Sequence, residues 1–233
     1  MKNDIFFEES VLEEGKSIEN LNKLGAITKK YYMFTKTEIK INDKLSKIFN
    51  RRKGRYITFD IKKTTSKLIV EIANSINNLV KEKTNILVVG LGNRFVTADS
   101  LGENTLSKIT SNKALKFCPS VKSVTNIDST ILVKAVVNKV KPTAVIIIDS
   151  LATKDSCKLA KSIQLTDAGI IAGGGVSKSD KLFSKDTLGV PVIAIGVPLI
   201  VGIKGDYFCP HQIDVFVESM SNILAKSIIK ALE

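Results

Sequence analysis

Apolar residues along the chain fall into two patterns. Three stretches are apolar almost without a break: residues 86–91, interrupted only by Gly90; residues 143–150, which read TAVIIIDS; and residues 190–197, which read VPVIAIGV. Short apolar runs bounded by turn residues are read as strands buried on both faces, the habit of parallel sheets. Residues 36–41 and 55–61 instead alternate apolar with polar side chains. This predicts two half-buried strands around a short helical segment, Asp43–Phe49. Helical spacing appears in residues 64–80, where Leu68, Ile72, Ala73, Ile76 and Leu79 share a face, and in residues 128–139 and 212–232. Residues 100–109 are read as a further helix, 121–124 and 163–166 as short strands, and 155–161 as a helix or turn. The stretch AGIIAGGGV, residues 168–176, is read as a loop with backbone angles that favour glycine. Strands alternating with helices predict one α/β layered domain over residues 1–233, with a mostly parallel central sheet flanked by helices.

Composition narrows the class. Apolar residues make up 44% of the chain and aromatics 6%, with no tryptophan, so the core is aliphatic. The formal charge of +12 suits either an anionic partner or a solvated lysine-rich surface. The lysines are scattered, with no aromatic-interleaved basic stripe, so no direct contact with nucleic acid is expected. Residues 1–20 are read as a mobile acidic leader carrying Asp4, Glu8, Glu9, Glu13, Glu14 and Glu19, followed by a basic block centred on Arg51, Arg52, Lys53 and Arg55. Three widely spaced cysteines, Cys118, Cys157 and Cys209, and the single histidine His211 offer no recognisable zinc spacing and no disulfide framework. They also leave little room for a Ser-His-Asp scheme. No metal or cofactor is expected. No apolar run reaches the roughly 18 residues of a membrane span, and a cytoplasmic location is expected.

The candidate chemistry lies where two of the buried runs end. Gly90-Leu91-Gly92-Asn93 leaves the first run, and Asp99 comes next at the expected start of a helix; Asp149 stands at the carboxyl end of the second. In open α/β sheets that end is where ligands bind. Each aspartate alone is equally suited to capping a helix or a turn. As a pair at one edge of one sheet they suit carboxylates that share a proton, one ionised to activate water and one protonated to donate. The glycines lack the third glycine of a dinucleotide loop and the Gly-Lys-Ser/Thr of a nucleotide loop, so they are read as a tight strand exit that positions the residues after it. A cysteine nucleophile would have only His211 as a base.

The residues that carry this pair also carry a resemblance. GLGNRFVTADSLG, IIIDSLATKDS, IQLTDAGI and TLGVPVIAIGVP, with KGRYITFDI before them and HQIDVFVESMSNILAKSI after, resemble six ordered blocks of the spore germination protease family. The resemblance implies an atypical aspartic endopeptidase on a fold similar to that of hydrogenase maturation endopeptidases. It implies Asp99 and Asp149 as the catalytic pair, with Gly92, Asn93, Gly173 and Gly174 as candidate substrate contacts. The implied substrates are small acid-soluble spore proteins, cleaved in the forespore or spore core on germination by a homo-oligomer. It further implies a zymogen that clips its own N-terminus, here between Asp4 and Ile5. The chain departs from the family in reading Gly-Ile-Ile-Ala-Gly-Gly-Gly at 169–175, where the family has Gly-Ile-His-Pro-Gly-Ser-Gly. Two other readings stay open. One is a metal-assisted maturation endopeptidase with Glu103 near the pair; the other is a non-catalytic sporulation protein that binds a partner through its basic surface.

Overall fold

The computed structural model describes residues 24–171, 182–203 and 206–233. The acidic leader, Asp4, Ile5, Gly173 and Gly174 lie outside the described residues.

The strands are β1 (Ile27–Lys30), β2 (Phe34–Ile41), β3 (Gly54–Ile61), β4 (Ile86–Gly90), β5 (Ala114–Phe117), β6 (Ala144–Thr153), β7 (Ser162–Thr166), β8 (Ile170–Ile171), β9 (Leu182–Phe183), β10 (Val192–Ile203) and β11 (Asp206–Phe208). The helices are α1 (Asp43–Phe49), α2 (Ser66–Leu79), α3 (Leu101–Lys108), α4 (Lys122–Thr125), α5 (Ser129–Val140), α6 (Lys185–Leu188) and α7 (Ile213–Leu232). One nine-stranded sheet runs in the order β1-β2-β3-β7-β10-β6-β4-β5, with β11 attached to β10. The four strands β10, β6, β4 and β5 are parallel, and they include the three unbroken apolar runs. The rest of the sheet is an antiparallel wing, β1-β2-β3-β7, in which β2 and β3 hold the two alternating stretches. The α/β layering is as expected, with the parallel pairing concentrated in the central strands.

Helices cover both faces. Leu68, Ile72 and Ile76 of α2, Leu101 and Leu106 of α3, and Ile223, Leu224 and Ile228 of α7 pack on one face against Ile86, Val88, Ile146, Ile148 and Ile195. Leu45 of α1, Val133 and Val137 of α5, and Leu188 of α6 pack on the other, against Leu87, Val89, Val145, Ile147 and Ala194. Each fully buried aliphatic side chain contributes about 1.5–3 kcal/mol, so this double cover is what makes the central strands the stable floor of the molecule. Local signals set the helix starts. Thr65 caps α2 by accepting from the Leu68 amide, and Asn42 caps α1 by accepting from the Leu45 amide.

Three expectations are corrected. Residues 121–124 are not a strand: Lys122–Thr125 form one helical turn, closed by Asn126 at φ 58°. The edge strand in that part of the chain is β5, seven residues earlier, too short and too exposed to show alternation. Asp99 does not begin a helix but sits in a 3-10 turn, Thr97–Asp99, with α3 starting at Leu101. The strand read over residues 190–197 is longer than expected: β10 passes Pro198, runs on to Ile203 and pairs back on β11.

Candidate active site

The ladder between β4 and β6 ends where Gly90 lies opposite Ile148, and the Leu91 amide donates to the Ile148 carbonyl at 2.8 Å. Asp149 is the next residue on β6, beyond the last rung. It therefore stands at the carboxyl end of the parallel strands with no strand beside it on the β4 side. On the other side it remains paired, opposite Gly196 of β10. Asp149 is buried, 8% exposed, and its Oδ1 accepts the Ser150 amide at 3.0 Å.

Asp99 reaches the same edge by a different route. After Gly90 the chain turns through Gly92, at φ +107°, and the loop closes on itself: the Val96 amide donates to the Asn93 carbonyl, the Asp99 amide to the Val96 carbonyl, and the Phe95 amide to Asn93 Oδ1. Asp99 leaves the helix start uncapped and points its carboxylate back into the turn, where Oδ2 accepts the Asn93 amide at 2.8 Å. That disposes of the helix-cap alternative for this residue. The 3-10 turn lies within 8 Å, Cα to Cα, of β6, β10 and α7. Burial raises the Asp99 pKa above the ordinary carboxyl value, and the Asn93 amide offsets part of that rise. Alternation along β6 sets Asp149 with Ile147 and Leu151 on the α5 side, whereas Asp99 arrives from the α3 side. Both stand at the carboxyl end of the sheet, beyond the last residue of β4.

The glycines explain why the turn is so tight. A Cβ at Gly92 would lie 2.0 Å from the Asp99 carbonyl oxygen and 2.9 Å from its Oδ1. A Cβ at Gly90 would lie 2.5 Å from the Gly102 carbonyl carbon, and one at Gly102 2.7 Å from the Gly90 Cα. The end of β4 and the first turn of α3 thus touch backbone to backbone, and that contact seats Asp99. Gly92 and Asn93, taken from the sequence as substrate contacts, both bear directly on Asp99 in the structure. The close Gly90–Gly102 approach is a feature sequence reasoning missed, although the thirteen-residue GLGN…LG block ends on that glycine.

Other sequence candidates lie elsewhere. Arg94 pairs with Glu103 at 3.1 Å beside the turn. Cys118 follows β5 at the same end of the sheet, but burial pushes its thiol up, the wrong direction for a nucleophile. Cys157, Cys209 and His211 are exposed. Among the described residues, no three His, Cys, Asp or Glu side chains gather as a metal ion would need. The basic block is not beside the aspartates. Register carries Tyr56 through Thr166 and Ala194 to Ile147, so Arg55 and the residues before it run off the amino end of the parallel strands. There Arg52 pairs with Asp186 at 3.1 Å and Lys53 with Asp43 at 2.9 Å, and Arg55 lies 3.8 Å from Asp167. The described flanks of the Gly-rich loop, β8 and β9, leave from that same amino end, where Arg52 Nε donates to the Ala168 carbonyl.

Comparison with known proteins places these features in a family. The model of the germination protease family matches residues 4–206. The germination protease of Clostridium acetobutylicum is 30% identical over 83% of this chain and 68% of its own length. That of Clostridium perfringens is 30% identical over 84% and 63%, and that of Caldanaerobacter subterraneus 35% identical over 71% and 59%. The chain therefore spans about three fifths to two thirds of the length of the relatives it matches. A hydrogenase maturation protease from Thermococcus kodakarensis superposes with a TM-score of 0.46 at 16% identity, covering 66% of this chain and 98% of that one. With the family model matched over most of its length, the chain belongs to the germination protease family.

Proposed function

We propose that the chain is an endopeptidase that hydrolyses small acid-soluble spore proteins in the spore core, using Asp99 and Asp149 to activate water. The observation that carries this reading is the arrival of two partly or fully buried carboxyl groups at one open sheet edge, one of them seated by a backbone contact that only glycines permit. In this reading Asp99 is the proton donor and Asp149 the base. Asp149 takes a proton from water as the oxygen bonds to the peptide carbonyl carbon, and Asp99 donates to the carbonyl oxygen. Collapse of the tetrahedral species breaks the C–N bond; the proton held by Asp149 passes to the leaving amine, and the proton on the former carbonyl oxygen returns to Asp99 as the C=O bond re-forms. Gly92 and Asn93 act through Asp99. Self-cleavage between Asp4 and Ile5 and assembly of copies belong to the same reading. Assembly is supported by the exposed apolar side chains of Ile203, Tyr207 and Phe208 on the β10–β11 hairpin.

The test is direct. Purified protein is incubated with a small acid-soluble spore protein, and both partners are weighed intact by mass spectrometry. Cleavage by the wild type that survives a chelator and is absent in Asp99→Asn and Asp149→Asn is expected. A chelator-sensitive activity restored by zinc or nickel would favour metal assistance instead.

A further inference from the structure

The connections that leave β4 and β5 go to opposite faces of the sheet. From β4 the chain passes through the Asp99 turn to α3, whose Leu101 and Leu106 belong to one face. From β5 it passes through α4 to α5, whose Val133 and Val137 pack on the other face with Leu87, Val89, Val145 and Ile147. The two strands are adjacent and parallel, so their connections part above the carboxyl ends. Such a parting opens a crevice at that end of an α/β sheet, where ligands bind. On its other side β4 borders β6, the strand that carries Asp149.

Both connections turn apolar side chains outward. In the connection from β4, Phe95 is 75% exposed and Val96 48%; in the connection from β5, Val124 is 49% exposed and Ile127 44%. Apolar side chains scattered singly over a surface are ordinary, but a group of them at one crevice marks a contact site. This group is held in shape. The Phe95 amide donates to Asn93 Oδ1 and the Val96 amide to the Asn93 carbonyl. The Arg94 guanidinium stands 5.6 Å from the Phe95 ring centre and is itself tied to Glu103 at 3.1 Å. On the opposite wall α4 is closed by Asn126 at φ 58°, and the Ile127 amide donates to Thr125 Oγ1. The walls come near each other, because the charges of Glu103 and Arg94 both act on the Cys118 thiol, which directly follows β5. Arg94 therefore leans toward β5, whereas the Asp99 turn lies against β6 and β10.

Neighbouring strands are about 4.8 Å apart, and an extended peptide advances about 3.3 Å per residue. A peptide whose scissile bond lies over the aspartates thus brings a side chain one or two residues away to the crevice beside β5. An aromatic ring and aliphatic groups match an apolar side chain there, since water leaves both surfaces as they meet. A short polar side chain would bury little apolar area. We propose that Phe95 and Val96, with Val124 and Ile127 opposite, form the subsite that seats an apolar side chain of the substrate beside its scissile bond, with Phe95 the specificity-determining residue. The inference rests on the protease reading and deepens it: the loop that seats Asp99 also selects what is cut.

Selectivity and binding are measured separately. The bond that the wild type cuts in a small acid-soluble spore protein is located by mass spectrometry. Fluorogenic peptides spanning it carry leucine, alanine or serine at each of the two positions on either side of the cut. At one of these positions the wild type is expected to prefer leucine over serine about tenfold in kcat/KM, mainly through KM. Phe95→Ala and Ile127→Ser are expected to lower that preference to about threefold or less, and Phe95→Leu to keep it. Thermal melts confirm folding. No preference in the wild type, an unchanged preference in the folded variants, or an equal loss on every peptide overturns the subsite and leaves the protease reading standing. The whole spore protein, fluorescein-labelled, is also titrated by fluorescence anisotropy into the Asp99→Asn protein with and without Phe95→Ala, which is expected to weaken binding about tenfold. Binding that Phe95→Ala leaves unchanged, or no binding at all, overturns the subsite. Binding weakened by Phe95→Ala without cleavage by the wild type overturns the protease reading and leaves the apolar contact site standing.

Discussion

Asp99 carries opposite demands at the scale of the single residue. Burial favours its protonated form, so its folded pKa lies above its unfolded value. A carboxyl shifted in that direction binds its proton more tightly in the folded state. Its contribution to stability is therefore greatest at low pH, falls as pH rises from the unfolded pKa through the folded one, and is least above both. Asp99→Asn removes that penalty. The variant is expected to melt higher than the wild type at neutral pH, with the difference closing as pH falls below the ordinary carboxyl range; a lower melting temperature at pH 7 would show that Asp99 stabilises the fold. Gly92 is the other residue with a sharp expectation. Gly92→Ala must accommodate both a φ of +107° and a Cβ 2.0 Å from the Asp99 carbonyl oxygen. A cost of about 1–3 kcal/mol for the strained backbone is expected by denaturant titration, with cleavage reduced roughly 100-fold or more because Asp99 is displaced. An active, fully stable Gly92→Ala enzyme would mean that the turn does not seat the carboxylate.

Between elements, the decisive contact is β4 against α3. Gly90 and Gly102 let the two backbones touch, and a methyl at either must push strand and helix apart. Gly102→Ala is expected to lose activity more than stability, since Leu101 and Leu106 still hold α3 on the core while its first turn shifts. By contrast, Leu101→Ala, in a fully buried side chain, is expected to cost about 2–5 kcal/mol in chemical denaturation, the range for emptied aliphatic sites. Much of this level was legible in the sequence. The unbroken runs ending at Gly90 and Asp149 announced buried strands, and Asp43–Phe49 matches the expected helix residue for residue. Two of the strands that escaped notice, β1 and β5, are edge strands of four residues each, exposed over much of their length. They are held by pairing rather than by burial, so their hydrophobic signal is weak. The apolar group beside Asp99 was hidden for another reason. Phe95-Val96 in NRFVTAD and Ile127 in TNIDS each look like a brief apolar interruption of a polar stretch, and only the pairing of β4 with β5 brings them to one end of the sheet.

Over the whole molecule, the charge of +12 is the property most open to test. The basic block at Arg51–Arg55 meets Asp186, Asp43, Glu38 and Asp167 locally, so it is neutralised where it stands and far from the two aspartates. The remaining excess is spread over the surface and repels itself. Raising salt shortens the Debye length from about 30 Å at 0.01 M to about 3 Å at 1 M, so the melting temperature is expected to rise with sodium chloride; a fall would mean that surface ion pairs outweigh the repulsion. Among the described residues no helix is long and apolar enough to cross a membrane.

The central claim is that Asp99 and Asp149 work as one unit, and it is tested most directly by the kinetics of three proteins: Asp99→Asn, Asp149→Asn and the double variant. Groups that share one proton transfer fail together, so each single change should lower kcat by roughly a thousandfold or more, and the double variant should be no slower than the slower single one. Losses that multiply in the double variant, or turnover retained in either single variant, would show that the two carboxyl groups do not act as a catalytic pair.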